Sequence, residues 1–111
     1  KWCATGSAPH EITIDLGSVQ AVSAVDVYHA QAGGESTDMN TKSYAIYTSE
    51  DGAAFEEVRS VTKNTAGETH DTFAPVNAQF VKLVVNKPTQ GSDSAARIYE
   101  VEVYGLKDTI E

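Results

Sequence analysis

The stretch Ala95-Ala96-Arg97-Ile98-Tyr99-Glu100-Val101-Glu102-Val103-Tyr104-Gly105 indicates the fold class of this chain. Its apolar and charged residues alternate with a period of two, which is the side-chain period of a β-strand. A strand with one apolar and one charged face is half buried and needs a sheet beside it. The alternation places Tyr99, Val101 and Val103 on one face, and Ile98, Glu100, Glu102 and Tyr104 on the other.

Short β-branched or aromatic runs recur along the rest of the chain, and turn residues separate them. No window has a sustained helical period, so the sequence predicts an all-β domain. Seven or so short strands form a β-sandwich or jelly roll. The candidate strands are 11–16, 22–28, 42–49, 55–61, 70–74, 79–86 and 98–105. The residues expected to face the core are Ile12, Ile14, Leu16, Val25, Val27, Tyr44, Ile46, Val81, Leu83 and Val85.

The composition is that of one acidic domain. The 111 residues suffice to bury a core, and we predict a domain over 1–106 followed by a polar tail, 107–111. Cys3 is the only cysteine, so no internal disulfide is expected. The net charge is -8 and the basic residues are scattered along the sequence, which disfavours nucleic acid and membrane surfaces as partners. No transmembrane or targeting segment is predicted.

The predicted connections differ in character between the two ends of the sandwich. Those at 16–20, 49–54 and 74–78 are short, with Gly, Pro and Asp-Gly turn residues. The opposite end collects the longer polar connections, and we call this end the loop rim. Long loops grouped on a rigid scaffold are the usual place for binding. The rim loops are 30–41, 62–69 and 87–96, together with the stretch 4–10.

Planar polar side chains are concentrated at the loop rim. Amide, carboxylate and guanidinium groups can each engage two neighbouring hydroxyls of a sugar. His29 and Arg97 have alternative interpretations, as a core-edge histidine and as a salt-bridge partner of Glu35 or Asp93. Asn40 could instead make hydrogen bonds within its loop. We predict that the ligand-binding residues are His29, Glu35, Asn40 and Arg97, in a rim that also carries His10, Asp38, Asn64, Gln90 and Asp93.

The sequence offers no convincing catalytic pair. His70 and Asp71 are adjacent on one strand and therefore point to opposite faces. Glu35 and Asp93 could lie at the spacing of glycosidase carboxylates, but nothing in the sequence establishes it. Phosphate loops, nucleophile elbows and metal-spaced His or Cys clusters are all missing from the sequence. We therefore expect a protein that is not an enzyme.

Several short motifs, in this order, resemble the discoidin domain, the fold of coagulation-factor type C domains and family 32 carbohydrate-binding modules. The motifs are Lys1-Trp2-Cys3, Ile14-Asp15-Leu16-Gly17, Tyr28-His29-Ala30, Tyr47-Thr48-Ser49, Phe80-Val81-Lys82-Leu83 and Ala96-Arg97-Ile98-Tyr99-Glu100. The resemblance implies a discoidin-like (galactose-binding-like) jelly-roll β-sandwich. In the family a first strand precedes the tryptophan that matches Trp2, so this chain is expected to lack that strand.

The resemblance also implies a function. Family 32 modules are parts of larger secreted bacterial enzymes, so we expect an extracellular or cell-surface module that binds carbohydrate, with terminal galactose or N-acetylgalactosamine as ligand. It further implies a structural calcium held by Glu100 and the carbonyl of Tyr99, with the other ligands upstream of this chain. The alternative is a discoidin-type protein-interaction or adhesion domain that uses the same rim. Unlike many sugar-binding members, the loop 87–96 carries no aromatic residue.

Overall fold

The computed structural model describes residues 1–105, which form an antiparallel β-structure. The predicted tail at 107–111 lies outside the described residues. Two short 3-10 helices, η1 (Ala30–Gly33) and η2 (Thr37–Met39), connect the second strand to the third. No described helix has the length and apolar character needed to cross a membrane. The strands are β1 (Trp2–Ala4), β2 (His10–His29), β3 (Ser43–Ser49), β4 (Glu56–Val61), β5 (Glu68–Lys87) and β6 (Ala96–Gly105).

The strands pair in the order β1-β6-β2-β5-β3-β4. β2 and β5 are each 20 residues long, and a straight strand of that length would extend about 66 Å. The longest dimension of the structure is only 44 Å. Both strands must therefore bend, and each contributes one half to each of two facing layers.

The bends correct the sequence-based prediction of turns at 16–20 and 74–78. Gln20 pairs with Ala78, so β2 and β5 continue through both stretches. The predicted strand pairs 11–16 with 22–28, and 70–74 with 79–86, are therefore two bent strands. The register shifts after Asp15, where Gly17 adopts a φ of 88° that favours glycine. The Asp15 carboxylate accepts the Gly17 N–H at 2.8 Å and stabilises this bend.

The core lies between the two layers. One layer contains β4, β3, the second half of β5 and the first half of β2. The other contains the first half of β5, the second half of β2, β6 and β1. The predicted inward positions are confirmed for the central strands, because the buried cluster includes Val25, Val27, Tyr44, Ile46, Val81, Leu83 and Val85.

A β-bulge in β6 corrects the predicted faces of the last strand. Tyr28 pairs with Glu100 and His29 pairs with Ile98, so Tyr99 is the extra residue. The extra residue reverses the alternation, and Ile98 therefore faces the core and is 2% exposed. The prediction that Ile98 shares a face with Glu100 was wrong, because a period-two pattern cannot register an inserted residue.

A polar network is buried between the layers near the loop rim. The Tyr44 hydroxyl donates to Asp71 at 2.5 Å, and Asp71 also accepts from Arg59 at 3.0 Å. The ring of His29 stacks on Tyr44, and its Nε2 lies 2.9 Å from Thr69 Oγ1. Burial lowers the pKa of His29 to about 4, because the interior disfavours the charged imidazolium. His29 is therefore a neutral core residue at pH 7.

We predict that His29 makes the domain less stable in mild acid. An unfolded histidine has a pKa of about 6.5, so between that pH and about 4 only the unfolded chain gains the proton. The stability associated with neutral His29 is complete above the unfolded pKa and is lost as the pH falls to about 4. The loss is about 3 kcal/mol over this window. Urea unfolding monitored through Trp2 fluorescence at several pH values measures it.

The matched variants for this prediction are His29→Gln and His70→Gln. His70 is exposed, and a hydrogen bond to Asp26 raises its pKa, which is the opposite shift. His70→Gln should therefore keep the acid-induced loss, whereas His29→Gln should remove most of it. An equally steep loss in His29→Gln would contradict the prediction.

Candidate functional site

Four connections meet at one end of the sandwich, and this confirms the predicted loop rim. They are residues 5–9, 30–42, 62–67 and 88–95. Lys42 N–H donates to the Lys87 carbonyl and Asn64 N–H to the Lys42 carbonyl, each at 2.9 Å. His10 Nε2 lies 2.8 Å from the Ser94 carbonyl. The loops therefore form one connected surface.

Gln90 connects three of these loops. Its backbone N–H donates to the Asp38 carbonyl at 2.9 Å. Its side-chain Nε2 donates to the Asn40 carbonyl at 2.8 Å and to the Asn64 carbonyl at 3.1 Å. One residue of the loop 88–95 therefore holds both other long loops in register. The sequence identified Gln90 only as a polar rim residue, because its partners are backbone carbonyls that no side-chain pattern reveals.

The structure separates the four predicted ligand-binding residues into two groups. His29 and Asn40 are both 0% exposed. The Asn40 side chain accepts the Gln31 N–H at 2.9 Å and donates to the Thr65 carbonyl at 3.2 Å. These two side chains thus lie beneath the rim and do not reach its surface. The alternatives of a core-edge histidine and of loop-internal hydrogen bonds describe them better.

Glu35 and Arg97 are brought together at the surface of the rim. The Arg97 Nε lies 3.3 Å from Glu35, and its Nη2 lies 3.0 Å from Asp93. Glu35 also accepts from the Lys1 ammonium at 2.8 Å. Arg97 is therefore the salt-bridge partner of both carboxylates that the sequence offered as alternatives. The cluster is partly exposed, with 27% of the Glu35 and 17% of the Arg97 side chain accessible.

The ionic cluster keeps both of its carboxylates ionised. The hydrogen bond from Lys1 lowers the pKa of Glu35. The backbone N–H of Ala95, and then the Arg97 guanidinium, lower the pKa of Asp93. A glycosidase pair needs one carboxyl with a raised pKa to act as the acid, so Glu35 and Asp93 do not fit that role.

The side chain of Tyr99 holds the loop 30–42 against β6. Its hydroxyl donates to Glu35 at 2.5 Å, and the Lys1 ammonium lies 5.1 Å from its ring centre. The ring packs so closely on Gly33 that an added Cβ there would overlap it. The sequence predicted a role only for the carbonyl of Tyr99. The role of its side chain follows from the bulge in β6, and the period-two pattern of the sequence does not reveal a bulge.

A cavity of about 400 Å³ opens at the rim between the loops 30–42 and 88–95. The carboxylate of Asp38 is exposed and forms no ion pair within residues 1–105. The residues that line the cavity therefore include charged, amide and hydroxyl side chains. Its lining residues are Asp38, Met39, Thr89, Gln90, Gly91, Ser92 and Asp93.

A second cavity, of about 370 Å³, lies at the opposite end, beside Glu50, Asp51 and Asn77. The Asp51 carboxylate accepts the backbone N–H of Ala53 and of Ala54 at 2.8 and 3.0 Å. These bonds are those of an ordinary polar turn. The Asp51 carboxylate is therefore engaged by hydrogen bonds within its own turn.

The predicted calcium ligands lie on the outer part of β6. Glu100 is exposed, and its hydrogen bond with the Glu102 carboxylate raises the pKa of Glu100. Glu102 is itself held by the hydroxyls of Tyr28 and Tyr104, at 3.2 and 2.6 Å. Within residues 1–105, no group of three or more acidic, His or Cys side chains could hold a metal. Calcium needs about six to eight oxygens, so these residues do not form a calcium site by themselves.

His70 and Asp71 point to opposite sides of β5, as the sequence predicted. The Asp71 carboxylate is buried against Tyr44, whereas His70 Nδ1 lies 2.9 Å from Asp26 on the outer face. The two groups cannot act on one substrate.

No curated protein sequence matches the chain. Among solved structures, the family 32 carbohydrate-binding module of EndoD from Streptococcus pneumoniae is 29% identical, with a TM-score of 0.84 over 94% of this chain and 74% of that one.

Two further solved structures are similar. Chitosan-binding module 1 from a chitosanase/glucanase of Paenibacillus sp. IK-5 is 27% identical, with a TM-score of 0.77 over 94% of this chain and 75% of that one. The family 32 module of AlyQ, in complex with 4,5-unsaturated mannuronic acid, is 26% identical, with a TM-score of 0.75 over 93% and 75%. The F5/8 type C domain family matches residues 1–101, and the chain belongs to that family.

Proposed function

We propose that this chain is a non-catalytic carbohydrate-binding module and that its binding site is the loop rim. The observation that carries the proposal is the cavity of about 400 Å³, with polar side chains in its lining, between loops that Gln90 holds together. A sugar needs such a fixed set of hydrogen-bonding groups, because its hydroxyls are desolvated on binding. Similarity to family 32 modules and to a chitosan-binding module supports a glycan as ligand.

The proposed site consists of residues at the surface, which contact the sugar, and residues beneath them, which support the loops. Asp38 and Gln90 in the cavity, with Arg97 and Glu35 beside it, contact the sugar directly. His29 and Asn40 support the loops from beneath. The proposed ligand is a terminal sugar of the galactose or N-acetylgalactosamine type, and the module directs a larger secreted enzyme to glycans that carry it. The paired carboxylates Glu35 and Asp93 are consistent with a module that binds without catalysis.

Removal of the exposed carboxylate of Asp38 tests this proposal. Single sugar sites of this kind bind at about 0.1 to 1 mM, which corresponds to about 4 to 5.5 kcal/mol. A hydrogen bond to a charged group contributes about 1.5 to 3 kcal/mol, so Asp38→Ala should weaken binding about tenfold or more. Titration with galactose and N-acetylgalactosamine, followed by NMR shifts or calorimetry, measures the change.

The control for the sugar titration is Glu50→Ala, which removes an exposed carboxylate from the cavity at the opposite end. It should leave the affinity unchanged. Wild-type affinity in Asp38→Ala, with a loss in Glu50→Ala, would move the site to the other end. If a glycan array stays silent for the folded wild type, the domain is of the adhesion type instead.

We propose further that Glu100 and the carbonyl of Tyr99 belong to a structural calcium site that other residues complete. The adjacent carboxylates of Glu100 and Glu102 support this, because a cation beside them would offset their repulsion. The remaining oxygens come from outside the described residues, in keeping with the expected upstream strand.

The calcium proposal predicts a metal-dependent melting temperature in a longer protein that includes the upstream segment. A ligand bound only by the folded state raises the melting temperature, so a chelator should lower it in the wild type. Glu100→Ala should abolish the difference made by the chelator, whereas Glu102→Ala should only reduce it. An unchanged chelator effect in Glu100→Ala would remove Glu100 from the site.

A further inference from the structure

The basic residues that are scattered in sequence form two classes in the structure. Lys1, Arg59, Lys82 and Arg97 each lie within 4.0 Å of a carboxylate. The other three within residues 1–105 form no such ion pair, although the chain carries a net charge of -8. Those three are Lys42, Lys63 and Lys87, and all three lie at the loop rim.

The three lysines, which we call the rim lysines, belong to one small region of backbone. Lys42 N–H donates to the Lys87 carbonyl at 2.9 Å, and the Lys42 carbonyl accepts from the N–H of Asn64 at 2.9 Å. Lys63 directly precedes Asn64 in the chain. The backbone positions of the three rim lysines are therefore neighbours at the rim.

The rim lysines border the proposed sugar cavity. The Lys87 ammonium donates to the carbonyl of Gly91, a cavity residue, at 3.1 Å. Gln90, the neighbouring cavity residue, donates to the Asn64 carbonyl beside Lys63 at 3.1 Å. Lys63 and Lys87 are exposed and Lys42 is half-buried. The cavity is therefore bordered by the Lys87 ammonium and, through Gln90, by the backbone next to Lys63.

The carboxylates near the rim lysines do not neutralise them. Asp93 and Glu35 are both engaged by Arg97, and Lys1 also binds Glu35. Asp38 is the one cavity carboxylate without an ion pair within the described range. Within residues 1–105 the rim thus carries three lysines and one cavity carboxylate without an ion pair, in a protein with a net charge of -8. An anion is attracted here and repelled elsewhere.

We propose that the rim takes an acidic glycan, a sugar of galactose configuration that carries carboxylate groups, in preference to its neutral counterpart. This inference rests on the proposed carbohydrate-binding function and specifies its ligand class. The rim loop 88–95 has no aromatic ring on which a neutral sugar could stack. Charge-assisted hydrogen bonds from the rim lysines to uronate carboxylates replace that contribution.

The test compares α-1,4-linked trigalacturonate with α-1,4-galactotriose, which differ in oxidation at C6. Calorimetry or NMR titration at about 50 and 300 mM NaCl should show about tenfold tighter binding of the acidic trimer at low salt. The preference should shrink at high salt, since exposed charges are screened. The triple variant Lys42→Gln, Lys63→Gln, Lys87→Gln should lose the preference and keep the affinity for galactotriose.

The control is Lys82→Gln, because Lys82 pairs with Glu11 on the side of the sandwich. It removes an ammonium group away from the rim and should keep the preference for the acidic trimer. A short single-stranded oligonucleotide of matched charge serves as a second polyanion and should bind more weakly than trigalacturonate.

The outcomes separate the two proposals. If both trimers bind equally well, the inference fails and the carbohydrate-binding function stands. If neither trimer nor any other glycan binds to the folded domain, both proposals fail. If the oligonucleotide binds as tightly as trigalacturonate, the rim lysines attract any polyanion and the ligand class is wrong.

Discussion

The pairing of β2 with β5 on both sides of their common bend is the constraint on which the structure depends. The two strands are paired from His10 with Val85 at one end to Tyr28 with Glu68 at the other. Because both strands fold over at 15–20 and 76–80, one hydrogen-bonded ladder builds the centre of both layers. The other strands extend these centres, and the hydrophobic effect closes the layers over Val25, Ile46 and Leu83.

The same bend positions the functional end of the molecule. A strand that folds back returns its two ends to the same side, so the termini of β2 and β5 all lie at the loop rim. Four connections then meet there, and hydrogen bonds from Gln90 and Asn40 to backbone carbonyls hold them together. These hydrogen bonds use buried groups of the rim, and its exposed groups remain available to a ligand.

The charged residues of the rim are distributed unevenly around the cavity. Arg97 and Lys1 neutralise the carboxylates that lie nearest to β6, and the ion pairs with Glu35 connect the loop 30–42 to β6. On the other side of the cavity the rim lysines have no carboxylate partner among residues 1–105. The charges of the described rim are therefore distributed unevenly. That asymmetry is created by folding, since the same lysines are 21 and 24 residues apart in the sequence.

The sequence by itself determined the fold class, the family, the inward faces of the central strands and the end at which the long loops gather. These properties depend on local periodicity and turn residues, which are visible in a linear pattern. Only the tertiary structure decided that β2 and β5 continue through their predicted turns, that the Tyr99 bulge turns Ile98 inward, and that His29 and Asn40 are buried. Only it brought Gln90 onto three loops and the lysines together. Those properties depend on pairings between residues that are distant in the sequence. A local sequence pattern does not specify which distant backbone group a residue pairs with.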